Sequence, residues 1–112
     1  MSAAAAATAG FLHLVYFYAA ENSTSEDASA LIAGIRRHLT GIPGVVRLET
    51  GVPAGTPRAA VDNSYLVALL VEYEDAAGHD VYQDHPDHLR FIAECSPLWS
   101  RVQVFDTLIA RG

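Results

Sequence analysis

Two segments of this chain are apolar on both alternating faces, and that restricts the fold more than any other feature. Between Tyr65 and Tyr73 one face carries Tyr65, Val67, Leu69, Val71 and Tyr73, and the other Leu66, Ala68 and Leu70. Phe11 to Tyr18 is similarly rich in aromatic and β-branched residues, too short for a lone spanning helix, and stopped by the polar cluster from Glu21 to Ser25. Side chains alternate along a strand, so a strand that is apolar on both sides has to be covered on both sides. The two segments are predicted to be the first and third strands of one sheet.

The other elements fall around them. Ser23 and Glu26 have the spacing of a capping box, and Ala28, Leu31, Ile32, Ile35 and Leu39 follow on one stripe, which predicts a helix from about Thr24 to Thr40. Gly41, Pro43 and Gly44 end it. Val45 to Val52 reads as the second strand, and the Gly-, Pro- and Ala-rich stretch from Gly51 to Asn63, with no periodicity, as a long loop. Glu74 to Gln83 reads as a short helix, Pro86 suits the first position of a second helical segment ending near Pro97, and Arg101 to Leu108 supplies the last strand. The order βαββαβ predicts an α+β, ferredoxin-like fold, a four-stranded antiparallel sheet with helices on one face. The other face would remain apolar, so a second copy of the chain is expected to cover it, giving a homodimer closed as an α/β barrel.

Composition narrows the classes of function. With 112 residues the chain can build one ordinary domain, read here as residues 11–110 behind an Ala-rich disordered tail, residues 1–10. Only 7 Lys and Arg in a chain of net charge −6 leave no basic patch for a run of phosphates, so neither nucleic acid nor an anionic membrane is an expected partner. The single cysteine, Cys95, cannot form an internal disulfide. The apolar run after the Ala-rich start imitates a signal peptide but lacks a basic n-region and contains His13, so a cytoplasmic protein is expected.

Chemistry concentrates in HDVYQDHPDH, from His79 to His88, which holds three of the five histidines. If Pro86 opens a helix, His85 caps it and His88 lies in its first turn, on the face shared with Ile92 and Cys95. A helix N-terminus and burial both disfavour the imidazolium, which leaves a neutral ring able to accept a proton. The same placement suits a histidine that only fills the core. Tyr82 could hydrogen-bond a substrate carbonyl or merely pack, and His13, on the strand face of Val15 and Phe17, is a third inward candidate. A metal set drawn from His79, Asp84, His85, Asp87 and His88 matches no standard zinc spacing, so no metal is expected. Cys95, on an apolar helix face without a basic neighbour, reads as an inert thiol.

Five stretches in order resemble the stress-responsive A/B barrel (Dabb) family: HLVYFY from His13, IPGV at Ile42 to Val45, VEYED at Val71 to Asp75, YQDHPDH at Tyr82 to His88, and VFD at Val104 to Asp106. The resemblance covers the chain from Leu12 to Leu108. It implies a homodimer whose two sheets pack face to face. The family includes stress-induced proteins without established chemistry and a plant polyketide cyclase that closes an aromatic ring by aldol condensation, with neither metal nor organic cofactor. By resemblance, His88 would be the base and Tyr82 would support the reacting carbonyl. His13, Val15, Phe17, Leu31, Ile32, Ile35, Leu69, Val71 and Trp99 would line a pocket for an apolar or aromatic small molecule. A cyclase-like enzyme is therefore expected, with a non-catalytic stress-response or ligand-binding dimer as the alternative. A cofactor-free aromatic polyketide oxygenase is a third reading, by analogy of fold.

Overall fold

The computed structural model describes residues 10–110, so the expectation of a disordered tail falls almost wholly outside the described residues. The strands are β1 (Phe11–Ala19), β2 (Val45–Gly51), β3 (Val67–Tyr73) and β4 (Trp99–Leu108). They form one antiparallel sheet in the order β2-β3-β1-β4, with the two segments that are apolar on both faces at its centre. The helices are α1 (Ser25–Leu39), α2 (Ala76–Asp84) and α3 (Pro86–Cys95), the last followed by a 3-10 turn, Ser96–Leu98. This is the ferredoxin-like arrangement with its second helix broken in two.

The break is chemical. The ring of Pro86 cannot continue α2, whereas at the first position of α3 its missing N–H costs nothing. His85 closes one helix and opens the next: its own N–H donates to Tyr82 O at 3.2 Å, and its Nδ1 accepts from the Asp87 N–H at 3.0 Å. Upstream, Asp75 Oδ1 caps α2 by accepting from the Gly78 N–H at 3.0 Å.

The start of α1 differs from the sequence reading by one residue. Thr24 is the N-cap and its N–H donates to Asp27 Oδ2 at 2.9 Å, so the reciprocal pair is Thr24 with Asp27, not Ser23 with Glu26. Ser23 is held in the preceding turn, where its N–H donates to Ala20 O at 3.2 Å. Two adjacent pairs with the same spacing compete here, and the turn decides between them. At the other end of the connection Gly44 has φ +90°, a left-handed conformation that only glycine adopts readily, and it delivers the chain into β2.

The core lies between the sheet and the helices. Val15 and Phe17 of β1 and Val67, Leu69, Val71 and Tyr73 of β3 meet Leu31, Ile35 and Leu39 of α1, Tyr82 of α2 and Phe91 and Cys95 of α3, all buried. The α1–α3 contact is close because Gly34 has no side chain: a Cβ there would collide with Cys95 Sγ. No helix among the described residues is long and apolar enough to cross a membrane.

Candidate active site

Helices α2 and α3 lie over the central strands but leave the helix side of the edge strand β4 uncovered. Along it, Val102, Val104 and Asp106 pair with Phe17, Val15 and His13 and remain partly open. A cavity of about 380 Å³ opens between this part of the sheet and the two helices, within the size range of small-molecule sites. Val15, Phe17, Leu69, Phe91, Ile92, Trp99, Val102 and Val104 make its walls apolar, and its polar groups are His13, His79, Tyr82, Gln83, His88 and Asp106.

Of the residues singled out from the sequence, His13, Val15, Phe17, Leu69, Tyr82, His88 and Trp99 come together around this cavity. Leu31, Ile35 and Val71 are fully buried in the core behind it, and Ile32 packs partly buried against that core; these four are not part of the cavity wall. His79, Gln83 and Asp106 enter the site without having been assigned to it. A signal for Asp106 exists in the sequence, because a carboxylate replaces an apolar residue in the alternating series Val102, Val104, Asp106. Glu94 is turned outward, paired with Arg37 and His38 of α1.

His88 occupies the first turn of α3, where its Nδ1–H donates to the Gln83 carbonyl at 3.1 Å. One ring nitrogen being committed to a carbonyl acceptor, Nε2 carries the lone pair. Burial lowers the His88 pKa below its ordinary value of 6.5; the Gln83 bond opposes that shift, and the nearby His13 and His79 reinforce it. The neutral, proton-accepting ring is the form favoured near neutrality. Tyr82 stacks obliquely on it with 4.6 Å between ring centres and is almost completely buried, which pushes its phenol upward and keeps it protonated, a donor.

The far side of the site is a second polar group. His13, 7% exposed, donates from Nδ1 to Asp106 Oδ1 at 2.6 Å, and its ring meets Tyr82 edge-on at 5.8 Å. Burial lowers the pKa of His13, while the hydrogen bond and charge of Asp106 raise it. His79 stacks on Phe11 at 4.6 Å and accepts from the Gln83 amide at 3.1 Å. Cys95 is buried against α1, its thiol pKa raised by burial, and it does not line the cavity.

The family comparison matches residues 11–109 to the Stress responsive A/B Barrel Domain, Dabb. The chain belongs to this family. Among solved structures, a Dabb family protein with a ferredoxin-like fold from Mesorhizobium loti is 24% identical, with TM-score 0.74 over 92% of this chain and 99% of that one. A dimeric ferredoxin-like protein of unknown function from Thermobifida fusca is 22% identical, with TM-score 0.75 over 90% of this chain and 92% of that one. Hydroxynitrile lyase from Passiflora edulis is 15% identical, with TM-score 0.78 over 94% of this chain and 97% of that one. At these identities the likeness is one of fold. No curated protein matches the chain.

Proposed function

We propose that this Dabb protein is a homodimeric acid–base enzyme that closes a ring in a linear polyketide-type substrate by aldol condensation. The observation that carries the reading is the state of His88: Nδ1 donates to the Gln83 carbonyl, which leaves Nε2 basic beside an apolar cavity and against the Tyr82 ring. In such a substrate the proton between two carbonyls is acidic enough for a neutral imidazole to remove. Nε2 takes that proton, the resulting enolate carbon bonds to a second carbonyl carbon, and the alkoxide formed there recovers the proton from the imidazolium. The Tyr82 phenol donates to a carbonyl oxygen as negative charge develops on it. The apolar walls exclude water, which strengthens these interactions and orients a largely apolar chain. That the fold can host a lyase at all is supported by the Passiflora edulis neighbour.

The homodimer is part of the proposal. The helix-free face of the sheet presents Leu12, Leu14 and Tyr16 of β1, Leu70 of β3 and Phe105 of β4, a surface that a second sheet would cover. The Thermobifida fusca neighbour is described as dimeric.

The experiment is turnover of a linear poly-β-keto thioester by the native protein and by His88→Ala. A positioned base contributes roughly 10²- to 10⁴-fold in rate, so the variant is expected to lose at least 10²-fold while remaining a folded dimer. A variant that binds and turns over normally but is destabilised by about 1–3 kcal/mol would identify His88 as structural. If the native protein shifts its His88 imidazole NMR signals with an aromatic ligand yet converts no substrate, the cavity is a binding site without catalysis.

A further inference from the structure

We propose that His13, His79 and Asp106 form a binding site for a divalent transition-metal ion, with zinc as the ion of choice. The three come from β1, α2 and β4, and one ligand atom from each lies within 4.8 Å of the others. Two imidazoles and a carboxylate are a donor set suited to such ions, and three protein ligands with an open position are typical of reactive zinc sites. All three also line the cavity, so the open position would face whatever occupies it.

The arrangement of lone pairs favours an ion over a simple hydrogen-bonded cluster. Asp106 turns one oxygen to each histidine: Oδ1 accepts from His13, and Oδ2 lies 3.8 Å from His79 Nε2. The Gln83 amide nitrogen, which can only donate, is 3.1 Å from that same Nε2, so the His79 nitrogen facing Asp106 carries a lone pair. A basic nitrogen and a carboxylate oxygen thus face each other without a proton between them. Bonds of about 2.0–2.2 Å from one ion to two ligands place those ligands about 3.4 Å apart in tetrahedral geometry, so the His79–Asp106 pair at 3.8 Å would close slightly on an ion and the His13–Asp106 pair at 2.6 Å would open. Ligation through His13 Nδ1 would require that neutral ring to take its other tautomer, with the proton on Nε2, and the Gln83 amide to swing aside.

Sequence spacing could not suggest this set, because its members stand at positions 13, 79 and 106. The site does not depend on His88, so failure of ion binding leaves the acid–base reading standing, and the reverse also holds.

The test is calorimetric titration of the chelator-treated full chain with Zn²⁺ alone, repeated with Co²⁺ to read the visible absorption of the bound ion. Saturable binding of one ion per chain is expected. Asp106→Asn and His79→Ala should weaken it at least tenfold, whereas His88→Ala and His85→Ala, the latter removing an imidazole elsewhere, should stay within about twofold. Both diagnostic positions are nearer the surface than His13, and thermal melts would confirm that the variants are folded. Absence of saturable binding, or an affinity unchanged by Asp106→Asn and His79→Ala, would overturn the site.

Discussion

Both the position and the tautomer of His88 are determined by its immediate surroundings. Its position follows from two local features, the Pro86 break and the His85 cap, while its tautomer follows from the Gln83 carbonyl. A pH dependence results. In the folded chain burial first, and His13 and His79 next, lower the pKa of His88 below the ordinary 6.5, so the unfolded chain takes up this proton more readily than the folded one. Stability should therefore be flat above the ordinary value and fall as pH drops through the window below it. Native protein and His88→Asn, compared in denaturant melts at neutral pH and near pH 5, are expected to differ in slope, the variant losing less on acidification. An identical acid response in the two would show that His88 is not burdened by protonation. The acid limb of the turnover rate should lie on the same side, below 6.5, because only the neutral ring can act as base.

Among the elements, the α1–α3 contact holds the helix that carries His88 in place. Phe91 and Cys95 anchor α3 in the core, so its C-terminal end, at Cys95, packs on α1 while His88 in its first turn faces the cavity. The approach depends on Gly34, whose missing side chain makes room for Cys95 Sγ. Gly34→Ala ought to gain from better helix propensity in isolation, by up to about 1 kcal/mol. Against Cys95 it overpacks the core, which typically costs about 1–3 kcal/mol, so a net loss in chemical denaturation is expected. In a Cys95→Ala background the same change should cost little or become stabilising, since the two sites share one volume. An equal cost in both backgrounds would place the strain elsewhere. The capping pair at α1 illustrates the limit of local reading: Ser23 with Glu26 and Thr24 with Asp27 have the same spacing, and the turn at Ala20 selects the second.

For the whole molecule, the decisive surface is the face of the sheet without helices. Phe105 is 53% exposed there at the edge strand, beside Leu14 of β1, to which it is paired. An exposed phenylalanine next to further apolar strand residues is the kind of patch that association covers. Light scattering at micromolar concentration should give twice the chain mass of 12.0 kDa. Phe105→Asp should shift the equilibrium to monomer and lower the melting temperature, since a charge would be buried in the contact. A native protein that stays monomeric and folded would refute the dimer and, with it, the closed barrel.

Periodicity alone identified the two central strands and the α1 stripe, because alternation and helical repeat are carried by residues a few positions apart. Pro86 and His85 likewise announced a helix start from neighbouring residues alone. The inward placement of His13 beside Val15 and Phe17 was legible for the same reason. The cavity was not, since it exists where β4 extends beyond the helices, and that depends on the pairing of β1 with β4. His13 and Asp106 are 93 positions apart in sequence and 2.6 Å apart in space. Four residues expected at the cavity show the converse: Leu31, Ile32, Ile35 and Val71 are apolar and inward, which periodicity can report, but whether an inward side chain meets a neighbour or a void is decided only when helices and sheet are packed together.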